Sequence, residues 1–261
     1  MMNEVQFLID NEKCTGCGLC VSDCQRRVLM IQNKKAVVDT SAICFECGHC
    51  LAICPENAVI VRGCDDEIWE VPKTPFLDEK SLKAHLKFRR TIRQYRDTPV
   101  EKEKIEKIIE AGRLSPTAKN SQNVRYIVIQ NGIDALEDEV LEQYKTSGKK
   151  EYQLVFPHYY KPDRLQRGFL FHKAPLVIII ISKLEIDGCL AAMNMELMAA
   201  TLGLGAVYSS LFVHPASINM ELRESLGITE EEKIATCLAI GYPKVKYQRT
   251  APRKKANITW R

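Results

Sequence analysis

Several things are scarce in this chain of 261 residues, and each absence excludes a class. Met1 to Asp10 has neither the basic opening nor the apolar run of a secretory leader, so the expected setting is cytoplasmic and reducing. Net charge is scarce too. Thirty-seven basic against 33 acidic side chains leave +4, too little to announce a nucleic-acid binder. Charge-free length is confined to one run, Cys189 to Val213, which has Glu196 near its middle and Asn194 two residues earlier. Those groups are costly in lipid, and Gly203 and Gly205 divide the run into a helix and a strand. A helix apolar on nearly all sides reads as buried in a core or a dimer interface, so no membrane span is expected. A dinucleotide fingerprint is missing as well. Gly203-x-Gly205 lacks the third glycine and follows a helix instead of a strand, which suits a helix C-cap.

What the chain does have is cysteine. It holds 11, nine of them before residue 65, and eight form two copies of one pattern: Cys14, Cys17, Cys20, Cys24, then Cys44, Cys47, Cys50, Cys54. The offset of 30 residues also superposes Gly18 on Gly48 and Val28–Ile31 on Ala58–Val61, so this is an internal duplication. Each half reads as a cysteine-rich loop, a short helical turn and a short strand, with Lys34 to Asp39 as a hairpin return. A polar, proline-punctuated stretch follows. The expected organisation is a cysteine-rich domain over 1–62, a linker over 63–79 and a second domain over 80–261.

Two tight runs of C-x2-C-x2-C-x3-C suit thiolate ligation of iron–sulfur cages. Structural zinc instead favours separated C-x2-C pairs, often with histidine, and only His49 lies nearby; a zinc-stabilised binding protein is the rival reading. The runs resemble those of bacterial two-cluster ferredoxins. That resemblance implies one [4Fe–4S] cluster on Cys14, Cys17, Cys20 and Cys54, and another on Cys44, Cys47, Cys50 and Cys24. Pro55 after Cys54 follows the ferredoxin pattern and Gln25 after Cys24 departs from it. Gly16, Gly18 and Gly48 let backbone approach the sulfides. Cys64, Cys189 and Cys237 are expected to be non-ligands, the last two in apolar core segments.

The second domain alternates helical and strand patterns. Thr98-Pro99-Val100-Glu101 reads as a capping box ahead of a helix with Ile105, Ile108 and Ile109 inward. Val124–Gln130, Leu176–Ile181 and Ile234–Ile240 read as strands. Asp187 is expected to cap a helix to Leu202, and a shorter helix is expected around 217–226. Three polar segments stand out: Arg89-Arg90-Thr91-Ile92-Arg93, able to hold a phosphate with guanidinium forks and a hydroxyl; the loop Ser115–Gln122; and Gly203–Ser210. A tail from Lys244 to Arg261 has seven basic and no acidic residues.

Together and in this order these segments resemble the nitroreductase family of FMN-dependent oxidoreductases over about 82–261. The whole chain is similar to members carrying a front ferredoxin module. The resemblance implies an α+β fold, a ferredoxin-like 2[4Fe–4S] domain followed by helices packed on an antiparallel-dominated sheet. It implies FMN held by Arg89, Arg90, Thr91, Arg93 and the late Arg253, with Pro116, Thr117, Asn120 and Gln122 on the loop that a partner subunit lays against the ring. Ser209 and Ser210 match the place of a backbone N–H near the flavin N5, although glycine is commoner at 210. Asn123-Val124 replaces a frequent Pro-Trp. The family also implies an intertwined homodimer with FMN at its interface.

No side-chain acid or nucleophile stands out, so the flavin is expected to carry the chemistry. Arg125, Tyr208, His158 and Tyr159 are candidates for touching substrate. The leading expectation is an oxidoreductase in which an external low-potential donor, a ferredoxin or flavodoxin, feeds two clusters, then FMN, then an electron-poor small molecule: a nitroaromatic, quinone, enone or halogenated compound. The alternative is a non-catalytic electron carrier or redox sensor.

Overall fold

The computed structural model describes residues 7–62, 66–74, 76–146 and 165–261. Cys64, His158 and Tyr159 lie outside the described residues. The chain divides into two compact units, Met1–Thr74 with Thr117–Ser121, and Pro75–Pro116 with Gln122–Arg261.

In the first unit the sequence duplication is also a duplication of backbone conformation. Gly18 and Gly48 take left-handed φ values of 79° and 71°, and each opens a short helix, α1 (Leu19–Asp23) and α2 (His49–Ala52). Arg27 and Asn57, again 30 apart, are both left-handed. Strand β1 (Phe7–Ile9), unread in the sequence, pairs antiparallel with β4 (Val59–Val61). Strand β2 (Leu29–Gln32) pairs with β3 (Lys35–Val38) through Asn33 and Lys34, both at positive φ, the geometry a two-residue hairpin favours. The equivalent residues Val28 and Ala58 are each 1% exposed. They share a small core with Phe7, Leu29, Val59, Cys14 and Cys20.

The second unit is built on a four-stranded antiparallel sheet in the order β5 (Arg125–Ile129), β6 (Leu176–Ser182), β8 (Lys233–Gly241), β7 (Gly205–Tyr208). All seven residues of β6 are buried, because helices cover both faces. Leu176, Ile178 and Ile180 meet Ile105 and Ile108 of α4 (Lys102–Arg113) and Ala192 and Met195 of α6 (Glu185–Thr201). Val177, Ile179 and Ile181 meet Val140 and Leu141 of α5 (Ile133–Thr146), Phe212 of α7 (Ser210–Ile218) and Leu222 of α8 (Met220–Ser225). The two-residue period of a strand thus feeds two cores at once. Each such side chain stabilises the fold by about 1.5–3 kcal/mol. Helix α3 (Glu79–Phe88) precedes the sheet and is capped by Asp78, which accepts from the amides of Lys80 and Ser81. The fold is α+β, with antiparallel sheets throughout the described residues.

Two expected caps are corrected. Helix α4 starts at Lys102 with Glu101 as N-cap and no side-chain cap bond. The Glu101 carboxylate instead accepts from Tyr242 Oη at 2.6 Å, and Val100 is buried, so Thr98–Glu101 enters as a packed extended segment. Helix α6 starts at Glu185 behind Leu184, and Asp187 lies buried within its first turn. The predicted C-cap at Gly203 is present: φ is 75°, and the Gly203 and Leu204 amides donate back to Ala200 and Ala199. Among the described residues no helix is long and apolar enough to cross a membrane.

Candidate functional site

The first unit gathers its eight repeat cysteines into two groups. Cys14, Cys17, Cys20 and Cys54 line one cavity together with Gly16 and Gly18. Burial pushes the Cys20 thiol up, and the neighbouring sulfurs of Cys54, Cys14 and Cys17 add to the effect. Cys54 reaches this group from the other copy of the repeat. The second group is marked in the same way. Burial raises Cys44, with Cys47 and Cys24 adding, and burial pushes Cys50 to about 11, with Cys44 and Cys47 adding. Crowded thiolates of this kind are relieved by a cationic cage. Backbone amides already point at sulfur: Ala36 to Cys14 at 3.4 Å, Ala58 to Cys54 at 3.3 Å and Glu46 to Cys44 at 3.2 Å. Among the described residues no three His, Cys, Asp or Glu side chains converge as they would on a single metal ion. The donor set, four thiolates around one space plus N–H groups aimed at sulfur, fits an iron–sulfur cage.

In the second unit the cationic run follows the sheet edge. The Ile92 amide donates to Ala206 O and the Arg96 amide to Tyr242 O. Gly205 makes this possible, since a Cβ there would stand 2.2 Å from Ile92 Cγ1. Arg89 and Arg90 then line a cleft with Lys83 and Lys87 of α3 and, from the tail, Thr250 and Arg253. Five of these side chains, Lys83, Lys87, Arg89, Arg90 and Arg253, are cations, which suits an anionic group. Thr91 and Arg93 do not line it; Thr91 is half-buried and Arg93 exposed. Arg89 is bonded to Glu196, and Arg90 lies over the Tyr247 ring at 5.9 Å.

Glu196, which in the sequence argues only against a membrane span, joins this cleft through its bond to Arg89. Its carboxylate is 4% exposed, and a buried carboxylate needs a cation. A lone acid in a 25-residue run otherwise free of charge is the available signal. Tyr208, whose hydroxyl is pushed up by burial, bonds to the same carboxylate.

The remaining predicted residues are dispersed. Pro116 and Gln122 belong to the second unit and Thr117 and Asn120 to the first. The Asn120 amide donates to the carbonyls of Phe45 and Glu46 at 3.2 and 3.1 Å. Lys119, Asn120 and Gln122 all take positive φ, a strained loop of the sort found at working sites. The Ser209 amide is bonded to Cys237 O and its hydroxyl to Leu170 O, whereas Ser210 opens α7. Arg125 is a structural residue: it forks onto Glu232 at 3.0 and 2.9 Å and also reaches Gly227 O. Cys237 is buried, but Cys189 is exposed on α6, a correction to its expected core position.

Comparison with known proteins matches both units. The model of the nitroreductase family matches residues 86–242, and that of the 4Fe-4S dicluster domain matches residues 13–59. A protein of Archaeoglobus fulgidus named as an NADH dehydrogenase/NAD(P)H nitroreductase is 32% identical over 165 residues, 60% of this chain and 82% of that protein. A ferredoxin of Methanothermococcus thermolithotrophicus is 39% identical over 56 residues, 21% of this chain and 93% of that protein. The crystal structure of a nitroreductase with bound FMN from Bacteroides fragilis superposes with a TM-score of 0.57 at 20% identity, covering 70% of this chain and 100% of that one.

Proposed function

Because this chain belongs to the nitroreductase family and carries a 4Fe-4S dicluster domain, we propose that it is an oxidoreductase in which electrons taken up at two [4Fe–4S] clusters reach FMN and then an electron-poor acceptor. The observation that carries the flavin reading is the meeting of Arg89, Arg90 and Arg253 in one cleft, although the last is far from the others in sequence. When bound, FMN supplies the exchange between one-electron and two-electron chemistry.

Every other role belongs to the chain. Arg90 and Arg253 hold the phosphate with guanidinium forks. Glu196 holds Arg89 in place beside them, Thr91 offers its hydroxyl to the ribityl chain, and Arg93 reaches toward the ring. The Ser209 amide is engaged elsewhere, so the Ser210 amide is assigned to the flavin N5. It lies in the first turn of a helix, where amides lack intrahelical partners. Pro116, Thr117, Asn120 and Gln122 are assigned to the ring of a second copy's flavin. The eight repeat cysteines hold the clusters in the two groups described. Ile186, Leu190 and Met193 are exposed on one face of α6, and Ile258 and Trp260 are exposed in the tail; a second copy covering them makes a homodimer. The working setting is cytoplasmic, with a low-potential carrier such as a ferredoxin or flavodoxin as donor and a nitroaromatic as the test acceptor.

Arg253→Ala tests the site map. It should purify with depleted FMN, at least tenfold weaker binding and unchanged iron; full flavin occupancy would contradict the assignment. Turnover of a nitroaromatic by the reduced protein separates a reductase from an electron carrier, in which flavin stays reduced with every acceptor tried.

A further inference from the structure

The duplication in the first unit breaks at one position. Between the first two cysteines of each run stands a left-handed residue, Gly16 with φ 71° in one copy and Glu46 with φ 53° in the other. In the first copy no side chain fits, because a Cβ on Gly16 would stand 2.0 Å from Lys34 O. The hairpin that folds over Gly16 also delivers Lys35, whose ammonium donates to the carbonyl of Cys14, and Ala36, whose amide donates to Cys14 Sγ. With Ala58 on Cys54 Sγ, the first cysteine group has two backbone amides on sulfur and one ammonium on a ligand's backbone. The second group has the Glu46 amide on Cys44 Sγ, and the same residue brings a carboxylate. Glu46 is held on both sides, its N–H by Cys44 Sγ and its C=O by Asn120 Nδ2. A residue kept in a conformation that glycine adopts without strain is a candidate for a working role.

Reduction adds one electron, and so one negative charge, to a cluster, with no bond made or broken. Amide donors and cations favour it, and a carboxylate opposes it. We propose that Glu46 makes the two clusters inequivalent, holding the one on Cys44, Cys47, Cys50 and Cys24 at a lower potential than the one on Cys14, Cys17, Cys20 and Cys54, where Lys35 acts in the opposite sense. The inference rests on reading the eight cysteines as ligands of two clusters. The first electron from an external reductant then resides on the Cys14 cluster and the second on the Cys44 cluster. Three groups act against this order. The His49 ring lies 3.3 Å from Cys47 O but is exposed to water. Glu56 borders the first cavity but is exposed, where water and salt screen it. Arg26 stands 5.0 Å from the Phe45 ring and donates to Ile43 O, not to a ligand residue. The deeper burial of Cys14 and Cys20 also opposes reduction of the first cluster, whereas the opposite charges of Lys35 and Glu46 both act in the proposed direction.

The test is an anaerobic dithionite titration of the holoprotein, followed by low-temperature EPR of the reduced clusters. Wild type should reduce in two steps. In Glu46→Gln and Glu46→Gly only the lower step should move, upward, by at least tenfold in the reduced-to-oxidised ratio at fixed potential, about 59 mV for one electron. Glu46→Gly restores the residue of the other copy and removes the left-handed strain, so it should fold at least as well as wild type. Lys35→Met should lower only the upper step, and Lys35→Arg should leave it in place. Glu46 variants that move neither step, or that move the upper one, overturn the proposal. Iron content far below about eight atoms per chain would overturn the cluster reading beneath it, a result distinct from full iron with steps that ignore Glu46.

Discussion

The two units are held together by different materials. In the first, strands of three and four residues close over a core in which Cys14 and Cys20 are themselves members. In the second, a central strand with Leu176 to Ile181 all at 0% exposure packs helices on both faces without any sulfur ligand. The first unit is therefore completed by what it binds, while the second forms a rigid frame with its cationic cleft at an edge. That difference suits the proposed division of labour, since cluster loops must wrap their cargo and a flavin cradle must be preorganised.

The sharpest way to break this comparison is to withhold iron. A small unit whose core includes its ligands draws folding energy from the metal, so hydrogen exchange should show protection lost throughout residues 7–62 and kept in β6 and β8. Retained protection in the first unit without iron would erase the contrast. Next in size is Ile178→Ala, which should cost the second unit about 2–5 kcal/mol in denaturant titration while leaving cluster absorbance per folded chain unchanged; a cost below about 1 kcal/mol would mean that the frame is loose.

A smaller effect is expected from pH. The Arg125 guanidinium beside Glu232 holds its carboxyl at about 2, below the usual 4.5. The contribution of this pair is complete above pH 4.5 and is lost as pH falls toward 2, so Glu232→Gln should flatten the acid limb of the second unit's stability curve. An unchanged acid limb would show that the pair contributes nothing. The smallest effect is at Tyr126, whose buried hydroxyl has no hydrogen-bond partner among the described residues and is pushed by burial to about 12. Tyr126→Phe should be neutral within about 0.5 kcal/mol, or stabilising; a larger loss would reveal a partner such as a bound ligand.

Much of this was legible in the sequence because covalent spacing carries it. The 30-residue cysteine repeat is matched by a duplicated backbone, and the apolar run Leu176–Ile181 by the central strand. Helix α5 was equally legible and went unread: Ile133, Leu136, Val140, Leu141 and Tyr144 are all buried at helical spacing. The caps at Thr98 and Asp187 were misread because tertiary partners outcompete local ones, Tyr242 at Glu101 and core burial at Asp187. The bond from Glu196 to Arg89 spans 107 residues; spacing cannot disclose it, and only the need of a buried carboxylate for a cation hints at it.

The central claim is that electrons reach the flavin through the clusters. Anaerobic stopped-flow mixing of the holoprotein with a reduced low-potential ferredoxin tests it most directly, comparing wild type with a Cys20→Ala, Cys50→Ala double variant that retains FMN. The account predicts that cluster absorbance falls first and flavin absorbance follows, and that flavin reduction in the double variant slows by orders of magnitude. Flavin reduced equally fast in both proteins would contradict it.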